Sequence, residues 1–142
     1  MVVTFFGNRN TPQDIKYKLK ETLELLIKNN DAKEFYFGNN GNFDILVKNV
    51  LIDIKKRNPN IECTEVLSRM PKEREVENGI SSLFPYEVAS SIPKFSINAR
   101  NIYMINKSDI VVTYVARTFG GAYKFKKISE RKGKIIIELF EK

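Results

Sequence analysis

Apolar residues recur along this chain in two rhythms. Val2 to Phe6 is a short β-branched and aromatic run that reads as a strand, and Ile15, Leu19, Leu23, Leu26 and Ile27 then recur at helical spacing until Asn29-Asn30-Asp31 breaks the pattern. Between the two, Gly7-Asn8-Arg9-Asn10 is a turn, and Thr11-Pro12-Gln13-Asp14 predicts a helix start with a capping hydroxyl and a proline at the first helical position. Glu34 to Phe37 reads as a second strand and Gly38-Asn39-Asn40-Gly41 as a tight loop. Asn42 is then the expected cap for a regular helical stripe of Phe43, Leu46, Val47, Val50, Leu51 and Ile54. After Asn58-Pro59-Asn60, Ile61 to Leu67 alternates as a third strand.

The rhythm fades from Ser68 to Ile92, which carries Pro71, Gly79, Pro85 and the charge run Lys72-Glu73-Arg74-Glu75. A loop of that length is uncommon in a compact domain, so the segment is expected to be a functional flap or to hold helix that periodicity does not reveal. Pro93 is expected to open a helix carrying Phe95, Ile97, Arg100, Asn101 and Met104; Asp109 to Val115 reads as a strand, Gly120-Gly121-Ala122 precedes a basic helix ending near Lys132-Gly133, and Lys134 to Phe140 is the last strand. Strands alternating with helices call for one α/β domain over residues 1–142, a mainly parallel five-stranded sheet with helices on both faces.

Composition narrows the chemistry. With no histidine and Cys63 as the only cysteine, histidine-based proton transfer and an intramolecular disulfide are excluded, no metal site is expected, and Cys63, in an apolar-alternating stretch, reads as a buried inert thiol. No apolar run approaches the ~20 residues of a membrane span, and the N-terminus, which lacks a basic leader, does not read as a secretory signal; a cytoplasmic protein with no membrane partner is the expectation. The net charge of +7 favours encounter with anions, but most of the lysines and arginines fall on solvated helix faces, the densest exception running from Lys124 to Lys134.

In a parallel sheet, ligands bind where the loops at the carboxyl ends of the strands converge. Three such loops, Gly7-Asn8-Arg9, Gly38-Asn39-Asn40-Gly41 and Gly120-Gly121-Ala122, each precede a helix, where free N–H groups and the helix dipole favour a phosphate. None matches a GxGxxG or Walker fingerprint, so NAD and ATP hydrolysis are disfavoured and no cofactor is expected.

Together, Thr4-Phe5-Phe6-Gly7-Asn8-Arg9, Phe37 to Asp44, Arg100-Asn101-Ile102-Tyr103-Met104 and Gly120-Gly121-Ala122 resemble the YpsA-like branch of the SLOG superfamily, which also contains the Lonely Guy nucleotide phosphoribohydrolases and the Smf/DprA DNA-processing proteins. The resemblance runs from the first strand to the last and implies a Rossmann-like fold binding a nucleotide-derived ligand over the glycine motifs. Where that family commonly has Gly-His-Arg, this chain has Asn8 in the middle position. The implied ligand-binding set is Gly7, Asn8, Arg9, Gly38, Asn39, Gly41, Asp44, Arg100, Gly120, Gly121 and Ala122. Arg9 would meet a phosphate, or else cap a loop; Asp44 would meet ribose hydroxyls, or else complement its helix dipole.

Arg100 and Met104 are similar to the arginine–methionine pair of the phosphoribohydrolases, which makes Arg100 the one catalytic candidate; the alternative is an Arg100–carboxylate pair with Met104 in the core. The glutamate of the hydrolase glycine motif becomes Lys127, and a cation cannot serve as a general base or stabilise an oxocarbenium ion. The resemblance therefore implies binding without turnover, with N-glycosidic hydrolysis as one alternative. The other is single-stranded DNA binding along Lys124 to Arg131, interleaved with Tyr123 and Phe125. A homodimer is the default assembly for this architecture.

Overall fold

The computed structural model describes residues 1–71 and 78–141. They form strands β1 (Val2–Gly7), β2 (Glu34–Phe37), β3 (Glu62–Val66), β4 (Ile80–Leu83), β5 (Ile110–Tyr114) and β6 (Ile135–Glu138). The helices are α1 (Ile15–Asn30), α2 (Asn42–Arg57), α3 (Tyr86–Ala89), α4 (Ser96–Lys107) and α5 (Gly121–Arg131). All six strands are parallel, in the order β4-β3-β2-β1-β5-β6, so the Rossmann-like α/β architecture stands with one strand more than the five predicted. No helix among the described residues is long and apolar enough to cross a membrane.

Strand alternation sorts side chains onto two faces. Val3 and Phe5 of β1, Phe35 and Phe37 of β2 and Cys63 of β3 point to one face, where the stripes of α1 and α2 cover them. Phe6, Val111 and Val66 point to the other, against Met104 and Ile105 of α4 and Phe125 of α5. Phe5, Phe35, Phe37 and Phe43 are fully buried, and each such side chain contributes about 1.5–3 kcal/mol. Cys63 is buried, and that burial pushes its thiol up to about 11.

The extra strand lies inside the 68–92 segment. Asn78 and Gly79, both with positive φ, turn the chain into β4, which adds to the edge at β3 through the register Cys63 to Ile80 and Val66 to Leu83. Its sequence, Ile-Ser-Ser-Leu, places two exposed serines at a sheet edge, so no apolar alternation marks it. Tyr86–Ala89 is a single helical turn, and the charge run Lys72 to Glu75 lies outside the described residues.

Three helix starts shift. Helix α1 begins at Ile15 rather than at Pro12, because Gln13 and Asp14 form a turn closed by the Ile15 N–H on the Pro12 carbonyl, 3.3 Å. The Thr11 hydroxyl donates to the Asn8 carbonyl, so it fastens the loop instead of capping a helix. Gly41, not Asn42, is the cap of α2, and Pro93 opens a 3-10 turn that runs into α4 at Ser96.

Strands β1 to β4 are added outward in one direction and β5 and β6 in the other, so the order reverses between β1 and β5. At such a reversal the flanking loops part and leave a crevice above the carboxyl ends of the strands.

Candidate functional site

A cleft of about 280 Å³ occupies that crevice. Of the sequence-predicted residues, Gly7, Asn8, Arg9, Asp44, Arg100, Gly121 and Ala122 line it; Gly38, Asn39, Gly41 and Gly120 do not and act from behind. Asn40, Asn101, Arg117 and Ile97 also line it, outside the predicted set. Among the described residues the charged ones lining it are Arg9, Arg100, Arg117 and Asp44, three cations to one carboxylate, which suits an anionic ligand.

Arg100 forms the floor. Only 2% of it is exposed, although arginine is among the residues least often buried. Its Nε donates to Asn101 Oδ1 at 3.0 Å and its Nη1 to Asn39 Oδ1 at 3.1 Å, two neutral acceptors that fix the guanidinium plane without cancelling its charge. Nη2 makes no hydrogen bond among the described residues and is not sealed from solvent, and Arg100 lines the cleft. Burial lowers the Arg100 pKa, and Asp44 and then Glu65 oppose the shift.

Asp44, in the first turn of α2, faces the same point. Its Oδ2 accepts the Asn40 N–H at 2.8 Å, and no Arg100 nitrogen lies within ion-pair distance of it among the described residues. Burial pushes the Asp44 carboxyl up to about 6; the Asn40 N–H and Arg100 pull against that rise, and Glu65 adds to it.

The first two glycine motifs are explained by packing. A Cβ on Gly7 would lie 2.2 Å from Cγ of Phe43, so this glycine lets the first turn of α2 close on β1. One on Gly38 would sit 2.9 Å from Cζ and Nη1 of Arg100 and 3.1 Å from Asp44 Oδ2, so its role is to make room for the charged floor. Gly41, at φ +89°, packs against the backbone of Arg9; any side chain there would combine backbone strain with a 2.9 Å approach to Arg9 Cα.

The third motif is different. Gly120, at φ +91°, turns the chain into α5, which has no side-chain cap. A Cβ on Gly121 would meet nothing within 4 Å among the described residues, so their packing does not account for glycine at this position. The uncapped first turn of α5 therefore presents backbone N–H groups and the positive end of its dipole to the cleft, beside Gly121 and Ala122. Exposed Arg117 stands at the rim, its guanidinium 4.9 Å from the Phe119 ring centre.

Asn8 joins the two loops across the reversal. Its N–H donates to the Tyr114 carbonyl at 3.0 Å and its Oδ1 accepts the Ala116 N–H at 2.8 Å, so much of this side chain is spent on architecture. Beneath the β5 loop, Glu138 is a hub that no sequence signal marked. It accepts the Val115 N–H, the Phe140 N–H and the Thr113 hydroxyl, and pairs with Lys126 of α5 at 2.9 Å. Burial raises its carboxyl, but the Lys126 ammonium and those donors outweigh burial and hold it below the ordinary range.

The basic helix spends its cations locally. Lys124 donates to Asn98, Lys126 pairs with Glu138 and Lys127 with Glu130, while Phe125 is buried against Phe6 at 5.5 Å between ring centres. No protein-family model matches the chain, and no curated protein sequence matches it.

Proposed function

We propose that this protein binds a nucleotide or nucleotide-derived ligand in the cleft between β1 and β5 and holds it without turning it over. The observation that carries the reading is the pairing of two anion-seeking features across one cavity: the buried Arg100 on the floor, whose Nη2 makes no hydrogen bond among the described residues, and the uncapped α5 N-terminus with an unhindered Gly121 on the wall. A phosphate on the Gly121 and Ala122 N–H groups gains directional hydrogen bonds and the helix dipole together. Arg9 and Arg117 then screen its remaining charge from the rim. The YpsA-like resemblance of the glycine loops supports the same placement and suggests a sensor-like role.

One observation favours a second reading, N-glycosidic hydrolysis. Asp44 is the only carboxylate among the described residues that line the cleft, and a carboxyl raised to about 6 is suited to proton transfer near neutrality. Against it, Lys127 occupies the position of the phosphoribohydrolase glutamate, is paired with Glu130 and does not line the cleft. Single-stranded DNA binding along α5 is the least favoured, since Lys124, Lys126 and Lys127 are engaged within the protein.

Titration of the purified protein with AMP, ADP and cyclic AMP, followed by chromatography of the mixture, separates these readings. Saturable binding with the nucleotide recovered intact is the expected result. Release of free base that stops in Asp44→Asn would replace it with the hydrolase.

A further inference from the structure

The two edges of the sheet differ in chemistry. Strand β4 presents Ser81 and Ser82, both exposed, whereas β6 is Ile135-Ile136-Ile137-Glu138, a β-branched run of the kind a sheet centre holds, and none of its three isoleucines is fully buried. Ile135 is 52% exposed. Natural edge strands are usually blunted by charges, proline or a bulge, or covered by a helix or loop, because an open row of N–H and C=O groups templates pairing with another strand.

The backbone of β6 leaves such a row open. The N–H groups of Ile135 and Leu139 donate toward β5, to the Asp109 and Thr113 carbonyls at 3.1 and 2.8 Å. Successive residues of a strand direct these groups to opposite edges, so those of Ile136 and Glu138 point away from β5, and they make no hydrogen bond among the described residues. The Lys134 N–H is taken by the Ser129 carbonyl at 3.1 Å, while the Lys134 carbonyl stays on the open edge.

We infer that β6 pairs with β6 of a second copy of this chain, antiparallel about a two-fold axis at Ile136, so that two sheets join into one. The register is self-complementary. Ile136 lies opposite Ile136 of the second copy and the two exchange both N–H···O bonds, and the Glu138 N–H of each copy meets the Lys134 carbonyl of the other. On the α5 face Lys134 stands across from Glu138, whose carboxylate is partly exposed beside Lys126, so the cross-strand charges are opposite. On the other face exposed Ile135 stands across from half-buried Ile137, an apolar pair that leaves water on association. None of these residues lines the nucleotide cleft, so the pairing stands apart from whatever the cleft holds.

The test is sedimentation equilibrium of the purified protein together with amide hydrogen exchange at residue resolution, at about 0.3 M NaCl so that repulsion between two +7 chains is screened. A protein monomeric at roughly 5 µM and mainly dimeric at roughly 500 µM is expected, because a single strand pairing is a small interface. The Ile136 and Glu138 amides should exchange freely in the dilute protein and be protected in the concentrated one. Ile135→Lys places a charge on the edge without entering the core. It should weaken the dimer at least about tenfold and leave the melting temperature of the dilute protein nearly unchanged, whereas Leu25→Lys, the same change at a similarly exposed position of α1, should leave the dimer intact. A protein that stays monomeric throughout overturns the inference, and so does a dimer that survives Ile135→Lys or leaves those two amides unprotected. Protection that persists on dilution would mean that another segment of the same chain covers the edge, and overturns it as well.

Discussion

Gly121→Ala is expected to make the protein more stable and less able to bind. The helical backbone at residue 121 tolerates alanine, and the added Cβ has no neighbour within 4 Å among the described residues. Alanine in a helix is favoured over glycine by about 0.5–1 kcal/mol, although a first-turn position realises only part of that gain. For a chain of 142 residues this corresponds to a rise in melting temperature of roughly 1–4 °C. The same methyl group, tilted toward the N-terminal end of α5 as every helical Cβ is, intrudes where a phosphate oxygen would lie about 2.9 Å from the backbone N–H groups. Overpacking of this kind costs about 1–3 kcal/mol, or roughly five- to 150-fold in affinity. Gly120→Ala is the natural contrast, since φ +91° makes alanine strained there and stability should fall by about 1–2 kcal/mol. Thermal denaturation without ligand and calorimetric titration with AMP measure both effects. A Gly121→Ala protein that is stabilised and still binds AMP with wild-type affinity would refute the placement of phosphate at α5.

Asp44→Asn should alter the pH dependence of stability. A carboxyl raised from 3.8 to about 6 gives a contribution that is complete below 3.8 and is lost as pH climbs to about 6. The variant should therefore gain up to about 3 kcal/mol on wild type between pH 4 and pH 7, and urea denaturation showing a constant difference would contradict this. Glu138→Gln, which removes the charge from the hub beneath the β5 loop, should cost about 1–3 kcal/mol at pH 7. Because its carboxyl sits below the ordinary value, the stability it gives wild type is present above about pH 4.3 and lost as pH falls further, so the gap between wild type and variant should close in acid. Cys63, buried with its thiol raised to about 11, should resist iodoacetamide at pH 8 until the protein is denatured; rapid native labelling would mean the α1–α2 face opens readily.

The sheet was legible because both faces of it are buried. Phe5 and Phe35 on one side and Phe6 and Val111 on the other leave strand-length apolar runs, and the stripe of α2 reports its burial directly. Strand β4 escaped because an edge strand of four residues with Ser81 and Ser82 exposed carries no periodic signal. The strand-end glycines pointed to the loops that border the cleft, yet those glycines divide by cause: Gly7 serves Phe43 and Gly38 serves Arg100, and of the three only Gly121 faces open space among the described residues. That division depends on distances across 36 to 62 residues of sequence, which spacing cannot encode. Arg117, Asn101 and Glu138 were missed for the same reason, because each acquires its role only from neighbours supplied by other elements.

The central claim is that Arg100 is held in the cleft for a ligand and not for the fold. Arg100→Met, similar in length and apolar, removes the charge but leaves the Asn39 and Asn101 Oδ1 acceptors without their donor, so it should fold yet melt below wild type, at a cost of about 1–3 kcal/mol, and ligand shifts are read against its own ligand-free melting temperature. The decisive measurement is the melting temperature of both proteins with and without a panel of nucleotides. A ligand present at about 100 times its dissociation constant adds about 2.7 kcal/mol, which is readily seen. At least one nucleotide should shift wild type and none should shift Arg100→Met. No shift in wild type, or the same shift in both proteins, would contradict the claim.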